Sequence, residues 1–295
     1  SVQTKGVELQ MGYNDYEGDF KWSANLNVGT YSSEVISLGG LDAVQVNQFE
    51  NEGLTRLEVG MPAFYFYGWQ FDGIFENDAA ATSYLSGGQD GAQGGDFRIV
   101  DVAGPDDADG NPTGPDGIID ANDRTMIGNP FPDLTLGLNL NAYYKGFDLN
   151  IFIQGSYGND IYNTNIYDLE GMPRLFNSGV AVLDRWTATN PSNTVPRPGT
   201  GRNVEASSRF IEDGSYTRVK NITLGYTLPV FEKTISSFRI YVSAQNLLTF
   251  TNYPGADPEV NYRNITNKSS NTNLGLDYGS YPNVKTFTMG VNLTF

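Results

Sequence analysis

The chain has 295 residues, a formal net charge of −16, and neither histidine nor cysteine. The absence of cysteine excludes a disulfide framework and a thiol nucleophile, and the absence of histidine removes the commonest general base and zinc ligand. The negative charge argues against binding to nucleic acid, which requires clustered lysine and arginine.

The composition favours a β-structure that touches both lipid and water. The chain contains 17 Phe, 18 Tyr, 3 Trp and 34 Gly, yet its mean hydropathy is negative. Because it has no apolar stretch long enough for a membrane-spanning helix, only a closed β-barrel could carry it across a bilayer. The chain shows no signal peptide and enters a strand pattern within a few residues of Ser1, so we expect a piece of a longer protein.

The first two predicted strands alternate between apolar and polar residues. Their apolar positions are Val7, Leu9, Met11 and Tyr13, and then Phe20, Trp22, Ala24, Leu26 and Val28. A period of two indicates strands. Residues 62–75 are aromatic at both alternating sets of positions, which predicts a strand that touches protein on its inner side as well.

The same alternation of apolar and polar residues occurs in five further segments toward the C-terminus. It covers residues 134–142, 147–154, 222–228, 238–245 and 286–295. In the terminal strand the polar positions are small and neutral, which suits a water-lined lumen. The total is about eight strands, each about long enough to cross a bilayer at a tilt.

The connections between these strands fall into two kinds. Residues 76–132, 158–215 and 249–283 are long, whereas 144–147 and 229–236 are short. Outer-membrane barrels have short periplasmic turns and long extracellular loops. We therefore predict an all-β fold, a transmembrane antiparallel β-barrel with long extracellular loops and a periplasmic C-terminus.

An acidic, glycine-rich segment in the first long loop is a candidate calcium site. Hard cations bind clusters of carboxylate and carbonyl oxygens, and the second half of this segment is similar to part of an EF-hand loop. The alternative is a solvated acidic turn, because Pro112 and Pro115 interrupt the ligand spacing. The candidate Ca²⁺ ligands are Asp107, Asp109, Asn111, Asp116, Asp120 and Asp123.

No residue of the other loops is assigned a role in binding or catalysis. Trp186 and Phe210 could stack on sugar rings, but aromatic residues in such loops more often pin the loop to itself. Paired carboxylates such as Glu212 and Asp213 could serve a glycosidase, which needs two carboxyl groups at a defined separation. Nothing marks such a pair, and we expect no enzyme.

Ordered landmarks along the chain resemble those of SusC-like (SusC/RagA-type) TonB-dependent outer-membrane transporters. They cover nearly the whole chain in the order of that family. These landmarks are residues 66–75, 116–124, 127–132, 152–158, 185–187, 218–226, 244–253 and 255–259 and the terminal strand.

The resemblance implies a barrel of about 22 strands, of which residues 1–295 supply the C-terminal part without the plug domain and the TonB box. It further implies import of an oligosaccharide or a peptide, with a SusD-like lipoprotein as a lid and the TonB complex as the energy source. Phe295 resembles the C-terminal signal that the barrel-assembly machinery reads, and outer-membrane lipid would surround the strands.

Two alternatives remain open at this point. A self-contained barrel of about eight strands could serve as an adhesin or as a structural component of an outer-membrane assembly. A soluble glycan-binding β-sandwich would also be rich in aromatic residues and acidic loops, but it predicts charged outward faces.

Overall fold

The computed structural model describes residues 1–49, 52–108, 113–199, 201–229, 235–260 and 273–295. The strands are β1 (Val2–Asp15), β2 (Phe20–Val35), β3 (Ala43–Phe49), β4 (Glu52–Glu58), β5 (Tyr65–Trp69), β6 (Phe71–Ile74), β7 (Phe97–Ile99), β8 (Arg124–Gly128), β9 (Leu134–Tyr144), β10 (Phe147–Tyr157), β11 (Asp160–Asn163), β12 (Ile211–Asp213), β13 (Tyr216–Leu228), β14 (Ser237–Thr251), β15 (Leu276–Asp277) and β16 (Thr286–Thr294). The α-helices are α1 (Asp78–Thr82) and α2 (Thr164–Gly171), and short 3₁₀ turns cover Ala121–Asp123, Val180–Asp184, Gly201–Val204 and Ser208–Phe210. None of the described helices is long and apolar enough to span a membrane.

Seven strands form one antiparallel sheet, which we call the wall. Its order is β1-β2-β9-β10-β13-β14-β16, so neighbours in sequence are neighbours in space. The strands run from 9 residues in β16 to 16 in β2. The wall confirms the antiparallel strand fold predicted from alternation.

The registers of the wall bring the alternating apolar positions of neighbouring strands to one face. Val242 pairs with Leu224 on one side and with Met289 on the other, and Ile151 pairs with Leu140 and Ile222. This apolar face is exposed, with Met289 at 80% of its maximal accessibility. A soluble sandwich would bury such a face against a second sheet, so the structure contradicts the sandwich alternative.

The wall is open at both edges. β1 pairs with β2, β16 pairs with β14, and the two edge strands do not pair with each other. A closed small barrel requires that pairing. The fully described edge strands therefore contradict the alternative of a self-contained eight-stranded barrel.

A row of aromatic residues lies across one end of the apolar face. Ring pairs join Tyr13 to Trp22, Phe20 to Tyr144, and Phe147 to Tyr226, at centroid distances of 5.1, 6.4 and 4.5 Å. Membrane barrels carry such girdles where strands leave the hydrocarbon. The row thus marks an interface level near the short turns.

Short and long connections lie at opposite ends of the wall, because successive strands run in opposite directions. The short ones are 16–19, 145–146 and 229–236, and the long ones are 36–133, 158–215 and 252–285. Lys145 and Gly146 have φ of 45° and 90°, the conformation of a two-residue hairpin turn that matches strand twist. We call the folded part of the long connections the cap.

The prediction that residues 62–75 form a wall strand is wrong. This segment forms β5 and β6, which belong to two small sheets of the cap, so the wall has seven described strands where about eight were predicted. Tyr65 and Phe66 are both buried within the cap. Residues 62–75 are therefore aromatic at both sets of positions because protein covers both faces.

The three long connections share a single hydrophobic core in the cap. The first contributes Phe66 and Phe97, the second Tyr162 and Phe210, and the third Leu276. Rings pack closely here, as Phe97 and Tyr162 lie 6.2 and 5.8 Å from Phe210. The cap is therefore one folded unit on the wall and not three independent loops.

We expect charge to be tolerated on only one face of the wall. Ile222→Arg puts a guanidinium on the apolar face four residues from the aromatic row, which should cost about 2–4 kcal/mol of folding free energy in a bilayer. Ser243→Arg, on the neighbouring strand but on the polar face, is the matched control and should cost less than half as much. Reversible unfolding of the complete barrel in lipid vesicles measures both, and equal losses would contradict this assignment of the faces.

Candidate functional site

The polar face of the wall carries a ladder of side-chain amides. Asn150 Nδ2 donates to the Oδ1 atoms of Asn139 and Asn141, both at 2.8 Å. Asn221 Nδ2 donates to Asn150 Oδ1 at 3.0 Å, and Asn141 Nδ2 donates to Ser23 Oγ at 3.2 Å. These bonds link four strands without any charged group, so the amide ladder itself is neutral, and the Glu8 carboxylate of β1 lines a neighbouring cavity on the same face.

A phenylalanine lies in the middle of this polar face. Phe152 pairs with Asn139 on one side and with Asn221 on the other, and its ring lies over Gly137. It borders a cavity of about 620 Å³ that Gln154 and Tyr216 also line. The polar face therefore offers an aromatic surface beside hydrogen-bonding groups.

A β-bulge in β13 alters which side chains reach the polar face. The register with β10 shifts between Val219 and Asn221, which leaves Lys220 as the extra residue. Because of this insertion, Arg218, Lys220 and Asn221 all reach groups on the polar side. On β14 the same irregularity places Asn246 in the left-handed region, with φ of 51° and its side chain donating to the Val284 carbonyl.

Arg218 and Lys220 hold the third long connection through a group of ion pairs that we call the mouth clasp. Arg218 donates to Asp257 Oδ1 at 2.6 Å and to Glu259 Oε2 at 2.5 Å, and it is almost fully buried. Lys220 Nζ contacts both oxygens of Glu259, at 2.9 and 2.8 Å. The clasp therefore fixes residues 257–259 against the wall.

Backbone groups and neutral side chains complete the clasp. Asp257 accepts from the backbone N–H groups of Glu259 and Asn283, and Tyr216 donates its hydroxyl to Glu259. Burial opposes ionisation of Asp257, but the Arg218 hydrogen bond and the two amides outweigh it and lower the pKa of that carboxyl. Asp257 is therefore held as a carboxylate.

A second ion pair lies on the polar side near the short turns. Asp148 on β10 accepts from Arg239 Nε at 2.8 Å and from Nη2 at 2.6 Å, a two-point contact across β13. Gly225 lies between them, and a Cβ there would come within 2.6 Å of atoms of both side chains. The glycine allows the pair to form directly over the strand.

A buried polar link joins the first and second long connections. Arg197 donates to both oxygens of Asp96, at 2.5 and 2.9 Å, and Asn203 Nδ2 donates to Asp96 Oδ1. Asn203 Oδ1 in turn accepts from the Phe97 backbone. Since every described polar group here has a partner, the link stabilises the cap without leaving a group free for ligand.

The aromatic residues considered for sugar stacking have structural roles. Phe210 is buried in the cap core. Trp186 packs against the same core, and its indole N–H donates to the Glu76 carbonyl at 2.9 Å. Both residues pin the loops, which was the favoured interpretation of the sequence.

The described carboxylates of the acidic segment bind backbone amides. Asp123 is fully buried and accepts from the backbone of Val102, Ala103 and Asp120. Asp120 accepts from Asn122. Asp120 closes a local turn, as aspartate does at many caps and turns, whereas Asp123 also ties this turn to the backbone of residues 102–103.

The calcium prediction is not tested by this arrangement. Asp116 accepts from the Ile118 backbone, and Asp107 lies in the described part of the loop, but Asp109 and Asn111 lie outside the described residues. Within the described ranges no three acidic side chains converge as metal ligands. Calcium binding therefore stays a prediction.

The sequence indicated the mouth clasp only indirectly. Residues 218–226 and 255–259 were landmarks of a family resemblance, without an assigned role. The usable signal was two cations, Arg218 and Lys220, within a strand that is otherwise uncharged. Phe295 is exposed beyond β16, and its role as an assembly signal stays a prediction.

We expect loss of the clasp to release the third connection. Arg218→Gln leaves two carboxylates without their buried cation, which should cost about 3–5 kcal/mol. Arg98→Gln, which breaks the exposed pair with Asp72, is the control and should cost at most about 1 kcal/mol. Hydrogen exchange of the amides of residues 253–260 in the complete protein measures the release, and equal protection in both variants would contradict the role of the clasp.

The chain is similar to known proteins in sequence and in structure. No family model matches the chain. A TonB-dependent receptor of Formosa agariphila is 40% identical over the whole chain, and a second receptor of that organism is 31% identical. The aligned region is 29% of the length of each of these receptors. The TonB-dependent receptor SusC of Bacteroides thetaiotaomicron is 25% identical over the whole chain, and the aligned region is 26% of the length of SusC. The chain thus spans less than a third of the length of these curated relatives.

Solved structures agree with the sequence comparison. The RagAB peptide transporter superposes with a TM-score of 0.76 at 27% identity, over 100% of this chain and 29% of that one. The RagAB peptide importer in its 'open-open' state gives a TM-score of 0.73 at 26% identity, with the same coverage. The chain is therefore related, over its whole length, to the SusC-like TonB-dependent receptors, and its fold is part of their barrel.

Proposed function

We propose that this chain forms part of the wall and mouth of an outer-membrane barrel that imports an oligosaccharide or a peptide in a TonB-dependent manner. The observation that carries the proposal is the wall itself, a sheet with one exposed apolar face and one polar face lined with amides. The named relatives are receptors and a transporter, so we propose no catalytic role.

The open edges of the wall support its place in a larger barrel. Unpaired backbone groups of β1 and β16 would each cost several kcal/mol in hydrocarbon, so further strands must pair with them. Relatives more than three times as long as this chain have room for such strands. A plug domain within the lumen, facing the amide ladder, belongs to the same proposal.

A SusD-like lipoprotein is the proposed partner at the mouth, and the TonB complex is the proposed energy source. The relationship to SusC and to RagAB supports both partners. The RagAB peptide importer has been solved in 'closed-closed' and 'open-open' states, which supports a lid that moves. The barrel-assembly machinery and the outer-membrane lipid complete the proposed partners.

We further propose that the cap is extracellular and the short turns periplasmic. The chain has no cysteine, so single cysteines can report accessibility. Asn193→Cys in the cap should react with a membrane-impermeant maleimide on intact cells, whereas Glu17→Cys in the turn 16–19 should react only after the cells are broken. Both residues are exposed, so the pair is matched. Labelling of the turn alone on intact cells would contradict this orientation.

The transport proposal is tested by energy-dependent uptake. Cells with the complete receptor should take up one class of a fluorescent oligosaccharide and oligopeptide panel, and cells without the receptor should not. A proton uncoupler should abolish this uptake, because TonB transmits energy from the proton gradient. Uptake that continues unchanged with the uncoupler would indicate a passive pore and contradict the proposal.

A further inference from the structure

Two glycines of the polar face form the floor of the cavity beside Phe152. Gly29 of β2 pairs with Thr135 of β9, and Asn27, two residues earlier on β2, pairs with Gly137. A strand spacing of about 4.8 Å and a rise of about 3.3 Å per residue place Gly29 and Gly137 about 8 Å apart. Because neither residue has a side chain, the polar face is open here, and both glycines line the cavity of about 620 Å³.

An acidic side chain and an aromatic ring lie at the two ends of this floor. Glu8 of β1 leans over Gly29, where a Cβ would lie 3.8 Å from Glu8 Cγ. The Glu8 side chain is therefore directed toward the centre of the wall and away from its open edge. Phe152 of β10 leans over Gly137, where a Cβ would lie 3.8 Å from Phe152 Cε2. A small group between them would contact a carboxylate on one side and a ring on the other.

The charge of the cavity is negative and is not neutralised by a neighbouring cation. Glu8 is the one charged residue among those that line it, and the lining side chains of Gln10 and Asn27 are neutral amides. Within the part of the chain that the structure describes, no lysine or arginine forms an ion pair with Glu8. Arg218 and Lys220 of the mouth clasp are already paired with carboxylates. The Glu8 carboxylate is therefore available to a cation from outside the chain.

The hydroxyl groups of the cavity already donate their protons within the protein. Thr135 donates to a backbone carbonyl at 3.3 Å, Ser156 to a side-chain oxygen at 3.1 Å, and Tyr216 to Glu259 at 2.8 Å. Gln154 donates to the Tyr216 hydroxyl at 3.2 Å, which leaves its carbonyl oxygen as an acceptor. Each hydroxyl has only one proton, so these groups can only accept from a ligand. The cavity therefore favours a ligand that is rich in donors.

We propose that this cavity binds a protonated amine or a guanidinium group of the cargo, and this proposal rests on the proposed function. Both groups are donors without acceptors. Such a cation can lie within about 3 Å of a Glu8 oxygen and within about 6 Å of the centre of the Phe152 ring, which matches the span of the floor. A sulfate, a uronate or an acidic side chain would be repelled by the same carboxylate. The cavity thus selects cargo by the sign of its charge.

The cavity lies between the amide ladder and the cap. Thr135 is the second residue of β9, Ser156 is the last but one of β10, and Tyr216 is the first of β13, so all three lie at the end of the wall that carries the cap. Cargo that enters from the cap side would therefore reach this cavity before the ladder. A single contact of this kind discriminates between cargoes without holding any of them tightly.

Uptake of matched probes by cells with the complete receptor tests this site. The peptide probes are blocked at both ends, carry one neutral fluorophore, and differ only in a lysine, glutamine or glutamate within an alanine chain. The saccharide probes are chitosan oligomers and their N-acetylated counterparts, which differ in the free amine. Within the class that the receptor imports, we expect half-maximal uptake of the cationic probe at a concentration about tenfold lower than that of the neutral probe.

Substitutions in the cavity should remove this preference without changing the uptake of neutral probes. Glu8→Gln should abolish it, because an amide does not form an ion pair. Glu34→Gln is the matched control, since Glu34 is exposed on the same hairpin but lies an odd number of residues from Gly29, on the opposite face. Phe152→Leu should reduce the preference by about threefold, whereas Phe152→Tyr keeps the ring and should retain it.

The outcomes separate this inference from the proposed function. A preference for the lysine peptide assigns the cation to a peptide, and a preference for chitosan assigns it to an amino sugar. If the unaltered receptor imports cationic and neutral probes equally, or if Glu8→Gln leaves the preference unchanged, the site is wrong but the import function stands. If the unaltered receptor imports no probe, the proposed function fails and the site fails with it.

Discussion

The structure depends on one constraint: every strand of the wall must give its backbone hydrogen bonds to neighbours while its two faces meet different surroundings. Pairs such as Val242 with Leu224 and Met289 keep the apolar positions of adjacent strands side by side. A slip of one residue between two strands would turn an entire apolar set toward the polar side. The register is therefore set by the alternation, and the cap can be built only because the wall is fixed.

The one place where β13 breaks this alternation is also where it holds the cap. Without the bulge, strict alternation would put Lys220 and Asn221 on opposite faces. With it, Asn221 completes the amide ladder while Arg218 and Lys220 bind Asp257 and Glu259. A local irregularity in pairing thus lets the same strand contribute both to the amide ladder and to the charged contact at the end of the polar face.

The wall was predictable from the sequence because a period of two is a local signal. The alternation within residues 134–142 and 147–154 predicts strands without reference to any other part of the chain. The cap was not predictable, since its core joins Leu54 to Leu276 across three separate connections. The pairing of Arg218 with Asp257 was invisible for the same reason, and residues 62–75 were misassigned because a strand buried on both faces lacks alternation.

Charge is divided along the polar side in a way that bears on the proposed import. The ion pairs lie at its two ends, Asp148 with Arg239 near the short turns and the mouth clasp near the cap, each with its charges opposed. Between them the amide ladder presents neutral donors and acceptors. The ladder offers a passing oligomer exchangeable hydrogen bonds, and the Glu8 carboxylate of β1 is a charged group beside that path. On the proposed function, tight binding would then belong to the mouth and its lid, and the wall would let the cargo pass.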